Sequence, residues 1–386
     1  MEILTKTHDV QGSDFTKTIT QLPGKLSELL KTSLSNAKAL ALPAKKEADT
    51  QTNDNALPHI SARLKHVTLE THDTKSYFFR SEVPLITHKA GAHINIAFDA
   101  NGETVKRTYT LSSSPKDSTE FSITVKRVNE GLASNWLFEN LNTGDPIQVS
   151  QPQGHFVLPY QPAGKILMLS AGSGITPLMS MIRYLAQTGN QSDIVFLNYA
   201  QSPDDIIFHD ELSTLANQQT NVKAHFVVER DAPADSTHKG RISKKQLSEI
   251  VPDVLDREIY LCGPQPFMKA TVSILDKLKF NPSQLHLENF TADLSAATQL
   301  GYSAKLSFAS LDSSIQSNPS KTILEEAEAA GLTPAAACRI GICRTCRCKK
   351  TSGTTVNLMT GEESSNEGDY ILPCVSVAKT ATSVEL

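Results

Sequence analysis

The sequence predicts a multidomain chain of β plus α/β plus α+β character: an antiparallel barrel, a parallel α/β domain and a small mixed domain. Three observations carry this. Residues 58–160 hold short segments of alternating or aromatic and β-branched character, separated by turn residues. Residues 161–290 alternate strand-like with helix-like stretches, the signature of a parallel sheet. Five of the six cysteines, Cys338, Cys343, Cys346, Cys348 and Cys374, fall in the last segment, 303–386. At about 150 residues per domain, 386 residues suggest two to three domains. With 37 Lys plus Arg against 41 Asp plus Glu, the net charge of −4 argues against a nucleic-acid partner.

Residues 1–57 read as an extension. Leu26, Leu29, Leu30, Leu34, Ala37 and Ala41 recur at helical spacing until Pro43, and 45–58 (KKEADTQTNDNALP) reads as a solvated linker. Membrane contact through this amphipathic helix is the lesser reading beside an ordinary frayed helix. No apolar run reaches the ~18–20 residues of a membrane span, and MEILTKTHDVQGSDF has no secretory pattern, so a cytoplasmic location is expected.

In the barrel region, HVTLET, KSYFFRS, INIAFDA, KRTYTLSS, EFSITVKRV and PIQVSQP read as strands, with one helix, ASNWLFENL, at 133–141. In 161–291, KILMLSAG leads into the helix TPLMSMIRYLAQTG. DIVFLNYA, HDELSTLANQQ, KAHFVVER, KKQLSEIV, REIYLCG and PFMKATVSILDKL complete the alternation. Residues 292–302 fit a linker. In 303–386, KLSFAS and SSIQSN read as a hairpin. Thr322 and Glu325 form a capping box for ILEEAEAA, which Gly331 ends.

Cys338-x4-Cys343-x2-Cys346, followed by the distant Cys374, is the plant-type [2Fe–2S] spacing. Three thiolates come from one tight loop, where Gly341 leaves room for backbone. A four-Cys zinc site is the rival, but zinc ribbons favour two CxxC pairs and this chain has one. Cys348, two residues past the loop, offers an alternative thiol, but the reading as a free cysteine outside the ligand set is preferred. Over ~303–386 the order of helix, loop and late cysteine resembles the plant-type ferredoxins. That resemblance implies a β-grasp fold and one-electron transfer.

Arg107-Thr108-Tyr109-Thr110 offers a cation for a diphosphate, a ring for stacking and a hydroxyl for a flavin nitrogen. Gly131 and Ser134 open a helix, where backbone N–H groups attract phosphate. Trp136, the only Trp, reads as a packing residue. The order His88-x-Ala-Gly91, RTYTLSSSP, VKRVNEGLASNWL, GDPIQVSQPQGHF resembles the ferredoxin–NADP reductase superfamily. It implies an FAD-binding barrel at 58–160 with Arg107, Tyr109, Thr110, Lys126, Gly131, Ser134 and His88 at the cofactor.

Gly172-Ser173-Gly174-Ile175-Thr176-Pro177 follows a strand and opens a helix. The glycines let a diphosphate approach, Thr176 can cap, and Pro177 fits the first helical position. This stretch resembles the same family's nicotinamide motif, and Cys262-Gly263-Pro264 resembles its second segment, whose Cys borders the nicotinamide. Glu288-Asn289-Phe290 resembles the closing segment near the flavin. The resemblance thus implies an NAD(P)-binding domain at 161–291. It makes Thr110, Cys262 and Glu288 the candidate catalytic residues, with Phe290 beside the cofactor. Ser202, Asp204 and Asp205 after the second strand, with no Arg cluster, favour NADH over NADPH.

The domain order resembles reductases that serve hybrid-cluster proteins and the reductase components of Rieske-type oxygenases acting on quaternary amines. It implies an oxidoreductase that takes a hydride from NADH onto FAD and passes single electrons through a [2Fe–2S] cluster to a partner redox protein. A hybrid-cluster protein is the expected partner. A Rieske oxygenase or fatty-acid desaturase is the alternative, and a non-enzymatic redox sensor or electron-transfer subunit is a third reading.

Overall fold

Alternating inward residues build the first sheet, in a computed structural model whose described residues are 60–386 except 101, 130, 233–237, 291–296, 299, 312–313, 337–338, 340, 342–343 and 360. The expected N-terminal helix and linker, much of the linker expected at 292–302, and Cys338 and Cys343 lie outside the described residues.

Strands β1 (Ile60–Thr71), β2 (Thr74–Ser81), β3 (His93–Ala100), β4 (Glu103–Thr110), β5 (Glu120–Lys126) and β6 (Pro146–Val149) form one antiparallel sheet in the order β4-β3-β6-β1-β2-β5. A bridge between Leu111 and Ile123 joins its two edges, so the sheet curls into a barrel. Ile60, Ala62 and Leu64 of β1 point inward with Tyr77, Phe79, Ile94, Ile96 and Ile123. Helix α1 (Leu132–Asn140) packs on the barrel, with Trp136 stacked on Phe98 at 4.7 Å. Trp136 is a packing residue, as expected.

Strands β7 (Lys165–Ala171), β8 (Asp193–Ala200), β9 (Val222–Val228), β10 (Glu258–Cys262) and β11 (Leu285–Glu288) form a parallel sheet in the order β11-β10-β7-β8-β9. Helices α2 (Ile175–Gln187), α3 (His209–Gln218), α4 (Lys244–Ile250) and α5 (Gln265–Lys277) connect them. Both faces are covered, so β7 and β8 are almost wholly buried and read as continuous apolar runs. The strand order reverses between β7 and β10. Ligands on such sheets bind in the crevice beyond the carboxyl ends at that reversal. Strand β11 has no counterpart in the sequence-derived elements.

At the opposite end of this sheet, Arg257 is 4% exposed. Its guanidinium donates to Asp253, Asp193 and the carbonyls of Ile166 and Asp193, at 2.8–3.2 Å. Hydrogen bonds from Arg257, then Lys165, hold the Asp253 carboxyl down at about 2. A depressed carboxyl stabilises the fold above the unfolded value near 3.9, and that contribution is lost as pH falls from there toward 2. Arg257→Ala is expected to cost about 2 kcal/mol, the scale of lost charged hydrogen bonds, and to weaken this acid dependence, leaving the part due to Lys165. Denaturant unfolding at pH 3 and pH 7 checks both.

The last segment pairs β12 (Lys305–Phe308) with β13 (Ser314–Gln316) as a hairpin, as expected. With β14 (Cys348–Ser352), β17 (Tyr370–Ile371) and β19 (Thr382–Val384) they form the order β13-β12-β19-β14-β17. Strands β15 (Thr355–Asn357), β16 (Glu363–Ser364) and β18 (Ser376–Ala378) make a smaller sheet. Helix α6 (Ile323–Ala329) starts in the expected capping box, Thr322 accepting from Glu325 N–H and Glu325 accepting from Thr322 N–H. Gly331 follows its C-terminus at φ +86°.

Candidate flavin, nicotinamide and cluster sites

The carboxyl ends of β8, β7, β10 and β11 carry one polar row. Asn198 pairs in register with Ser170, Ser170 with Cys262, and Cys262 with Glu288. Asn198 Nδ2 donates to Ser170 Oγ at 2.8 Å, while its Oδ1 is buried with no hydrogen-bond partner among the described residues. Cys262 is fully buried, and burial followed by the neighbouring Glu288 pushes its thiol well up. Burial lifts Glu288 from the ordinary 4.5 to about 7. Phe290 packs against the same core as Cys262, and Gln265 donates to Asn289 at 3.1 Å, tying the two segments together.

This raised carboxyl has a measurable sign. Folded Glu288 keeps its proton up to about pH 7, so the folded state binds one proton more than the unfolded chain between 4.5 and 7. Its contribution to stability is present at the acid end and is lost as pH rises through that window. Glu288→Gln is expected to unfold less readily than wild type at pH 8 and equally at pH 4, in flavin-free protein followed by denaturant titration.

The turn Gly172–Gly174 lies above this row. Gly172 has φ +53° and nothing near its missing side chain, an open approach for a diphosphate. Gly174 is the reverse: a Cβ there would stand 2.3 Å from the Cys262 carbonyl oxygen, so the turn sits directly on β10. A Cβ at Gly263 would stand 2.9 Å from the Phe267 ring and 3.2 Å from Ala171, and Pro264 caps α5. The helix starts earlier than the sequence suggests. Gly174 is the N-cap, Thr176 donates instead to the Ser173 carbonyl at 3.0 Å, and Pro177 lies third in the helix. Its missing N–H remains harmless, because the first-turn amides have no helical acceptor.

On the barrel, Arg107 and Tyr109 share one face of β4, with Thr110 at its end. Tyr109 is half-buried, and burial, eased by Arg107, pushes its hydroxyl up to about 12. Burial and the neighbouring Arg339 lower Arg107. A desolvated guanidinium facing a second cation suits an anion such as a diphosphate. Arg339 itself donates to Glu328 of α6. Gly131 is the N-cap of α1 and leaves space that Ser134 Oγ fills, accepting from Val128 N–H. His88 lies between β2 and β3 with its Nδ1 3.1 Å from the Ile86 carbonyl, and burial lowers its pKa. Lys126 ends β5 2.6 Å from Asp73, which also accepts from Thr71 and Thr74. The structure gives this cation a protein partner that the sequence reading did not include.

Cys346 and Cys374 are each 4% exposed, and their Sγ atoms stand 3.2 Å apart among Leu324, Val375, Ala336 and Leu372. Two thiols converging in an apolar niche fit a cluster's thiolate cage. Gly341 (φ +78°) packs where a Cβ would meet Val375 at 2.9 Å. Cys348 faces a different core, with Leu306, Phe308 and Ile371, and burial pushes its thiol up to about 12.

Family comparisons match these parts in turn: an oxidoreductase FAD-binding domain over residues 61–158, an oxidoreductase NAD-binding domain over 168–273 and a 2Fe-2S iron–sulfur cluster binding domain over 310–379. The chain is 36% identical to the glycine betaine monooxygenase reductase subunit of Chromohalobacter salexigens, over 87% of this chain and 97% of that one. It is 34% identical to the stachydrine N-demethylase reductase subunit Stc4 of Rhizobium meliloti, over 82% and 94%. Its fold is that of phthalate dioxygenase reductase, with TM-score 0.61 and 23% identity over 85% of this chain and 98% of that one. Barrel, parallel sheet and thiolate niche thus define an NAD(P)H-dependent electron-transfer oxidoreductase that uses FAD and a [2Fe–2S] cluster. The chain belongs to the ferredoxin–NADP reductase superfamily, among flavoproteins fused to a C-terminal plant-type ferredoxin domain.

Proposed function

We propose that this reductase supplies electrons to an oxygenase component that attacks a quaternary amine of the glycine betaine type. One observation carries the reading: 36% identity spread over 97% of the length of a glycine betaine monooxygenase reductase subunit. The N-demethylase reductase subunit points the same way. Among the partners expected from the sequence, this favours the Rieske oxygenase over the hybrid-cluster protein and the desaturase. A redox sensor would have no use for the dinucleotide crevice at β7 and β10.

When bound, FAD takes up a hydride's two electrons and releases them singly, and the cluster carries one electron at a time. The chain's residues hold and aim. Tyr109 offers its ring to the flavin, and Arg107 with the Gly131 helix end receives the diphosphate. Gly172 and Gly174 admit the dinucleotide. Thr110, Cys262 and Glu288 line the reacting end, where Glu288 keeps a proton near neutrality. Cys338, Cys343, Cys346 and Cys374 would hold the cluster. No described helix is long and apolar enough to cross a membrane. We place the relay in the cytoplasm, where NADH is at hand.

NADH is the preferred donor in this reading. Ser202 donates to Asp205 at 2.6 Å, fixing a carboxylate just past β8, where a 2′-phosphate would meet like charge. Arg230, which the linear sequence does not bring there, donates to Gln201 at 3.0 Å and is a feature at this end that favours a 2′-phosphate, so the reading rests on the Asp205 carboxylate. The expected kcat/KM for NADH exceeds that for NADPH about tenfold, equal to ~1.4 kcal/mol of discrimination. The partner test mixes the holoprotein with a glycine betaine oxygenase component, a hybrid-cluster protein, or neither. NADH oxidation that rises with glycine betaine only in the first mixture supports the proposal. Reduction of the hybrid-cluster protein alone overturns it.

A further inference from the structure

The geometry points to a second task for helix α2: through Ser180 and Arg183 it sets how the bound nicotinamide meets the flavin. Both are positioning residues. The inference rests on the reading of Gly172–Pro177 as the seat of the nicotinamide's diphosphate.

Ser180 and Arg183 are three apart, on one face of the helix. Ser180 Oγ donates to the Ser113 carbonyl at 2.7 Å and accepts from Gly91 N–H at 3.2 Å. Arg183 Nη1 donates to the Ser112 carbonyl at 2.5 Å, and its Nε and Nη2 hold both oxygens of Glu211 at 2.7 and 2.6 Å. The helix that begins with the dinucleotide turn therefore grips the backbone only two residues beyond Thr110, at the end of the flavin strand. Seven helical steps lead from Thr176 to Arg183, about 10.5 Å of stiff rod. A shift at one end is passed to the other.

The receiving side is equally fixed. Ser112 is fully buried, and its Oγ joins a chain of hydroxyls through Thr124 to Ser76, with Ser122 beside it, at 2.8–3.0 Å. Gly91 lies so close to the helix that a Cβ would meet Met181 Cε at 2.7 Å and the Phe156 carbonyl oxygen at 2.3 Å. On the helix side, the Arg183 guanidinium lies 4.8 Å from the Phe208 ring centroid. Phe208 takes a left-handed φ of 60° to place that ring. A planar fork can hold a carboxylate and a carbonyl together, whereas an ammonium cannot reproduce that geometry. Strength alone would need only one of these contacts. The combination fixes distance and angle.

The test uses the holoprotein with Arg183→Ala, Arg183→Lys and Ser180→Ala. Three quantities are read: the dissociation constant for NADH, the stopped-flow rate of flavin reduction at saturating NADH with the nicotinamide–flavin charge-transfer absorbance, and amide hydrogen exchange at Gly91. For Arg183→Ala we expect reduction to slow at least tenfold and the charge-transfer absorbance to fall, with the NADH dissociation constant within about twofold, since misplacement by 1 Å can cost 10²-fold. Arg183→Lys should rescue poorly. Ser180→Ala, which removes one hydroxyl and keeps the fold, should speed Gly91 exchange and slow reduction severalfold. Reduction at the wild-type rate in all three variants overturns the inference. So does a slower rate with unchanged charge-transfer absorbance, or a loss confined to NADH affinity. Wild-type protein whose flavin NADH does not reduce would instead overturn the reading of Gly172–Pro177.

Discussion

Cys374→Ala is expected to leave NADH-driven flavin reduction intact and to reduce delivery to one-electron acceptors at least about 100-fold. Changing an outer-shell partner of a metal ligand already costs 10–100-fold, and in the proposed site Cys374 is itself a ligand. The Cys374 thiol converges with that of Cys346 in a niche formed by α6 and the chain around Val375. Among the described residues no further thiol is placed to replace it: Cys348, two residues from Cys346, faces Leu306 and Phe308 in another core. Iron and sulfide analysis with visible spectroscopy checks the first half, and a one-electron acceptor assay the second. Cys348→Ala is the control and should keep its full iron content. If both variants lose iron equally, the assignment of two cores to two roles is wrong.

Gly174→Ala is the second change of large effect. The added Cβ would stand 2.3, 2.4 and 2.5 Å from the Cys262 oxygen and carbon and the Gly263 nitrogen. All three are backbone atoms, so no rotamer change relieves the clash. The turn must rise from β10, at an overpacking cost of about 3 kcal/mol. The dinucleotide is displaced with it, and flavin reduction by NADH should fall about 10²-fold. Gly172→Ala makes the instructive contrast. Its neighbourhood is open and only its φ of +53° resists a side chain, so it should cost about 1–2 kcal/mol. Thermal unfolding and stopped-flow reduction of the two variants decide the matter. Equal effects would show that packing on Cys262 is not what demands a glycine at 174.

The fold was legible because each part obeys a single period. The barrel alternates, the central strands β7 and β8 are long apolar runs, and Thr322, Glu325 and Gly331 bracket α6. The cluster was legible because four thiolates around one cage impose a fixed spacing. Strand β11 was not, because four residues of mixed exposure carry no period. The start of α2 was misjudged because a short 3-10 turn, Gly172–Gly174, precedes the helix and moves its cap to Gly174. The partners of Lys126, Ser180 and Arg183 stayed hidden for a different reason. Asp73 looks like any turn aspartate, and the carbonyls of Ser112 and Ser113 belong to the backbone, which leaves no residue-type signature. Only folding brings them together.

Helix α2 bears on how such reductases can be recombined. A natural place to join the flavin part of one to the nicotinamide part of another is the link between the sheets, near 158–164. Yet the seam between the two is drawn by side chains inside α2 and by the loops at Gly91 and Ser112–Ser113. A chimera spliced at the link exchanges one half of that joint and keeps the other. Compatibility would then follow from whether residues 180 and 183 of the donor suit the recipient's two loops, more than from overall similarity. Transplanting those contacts as a set should rescue mismatched hybrids.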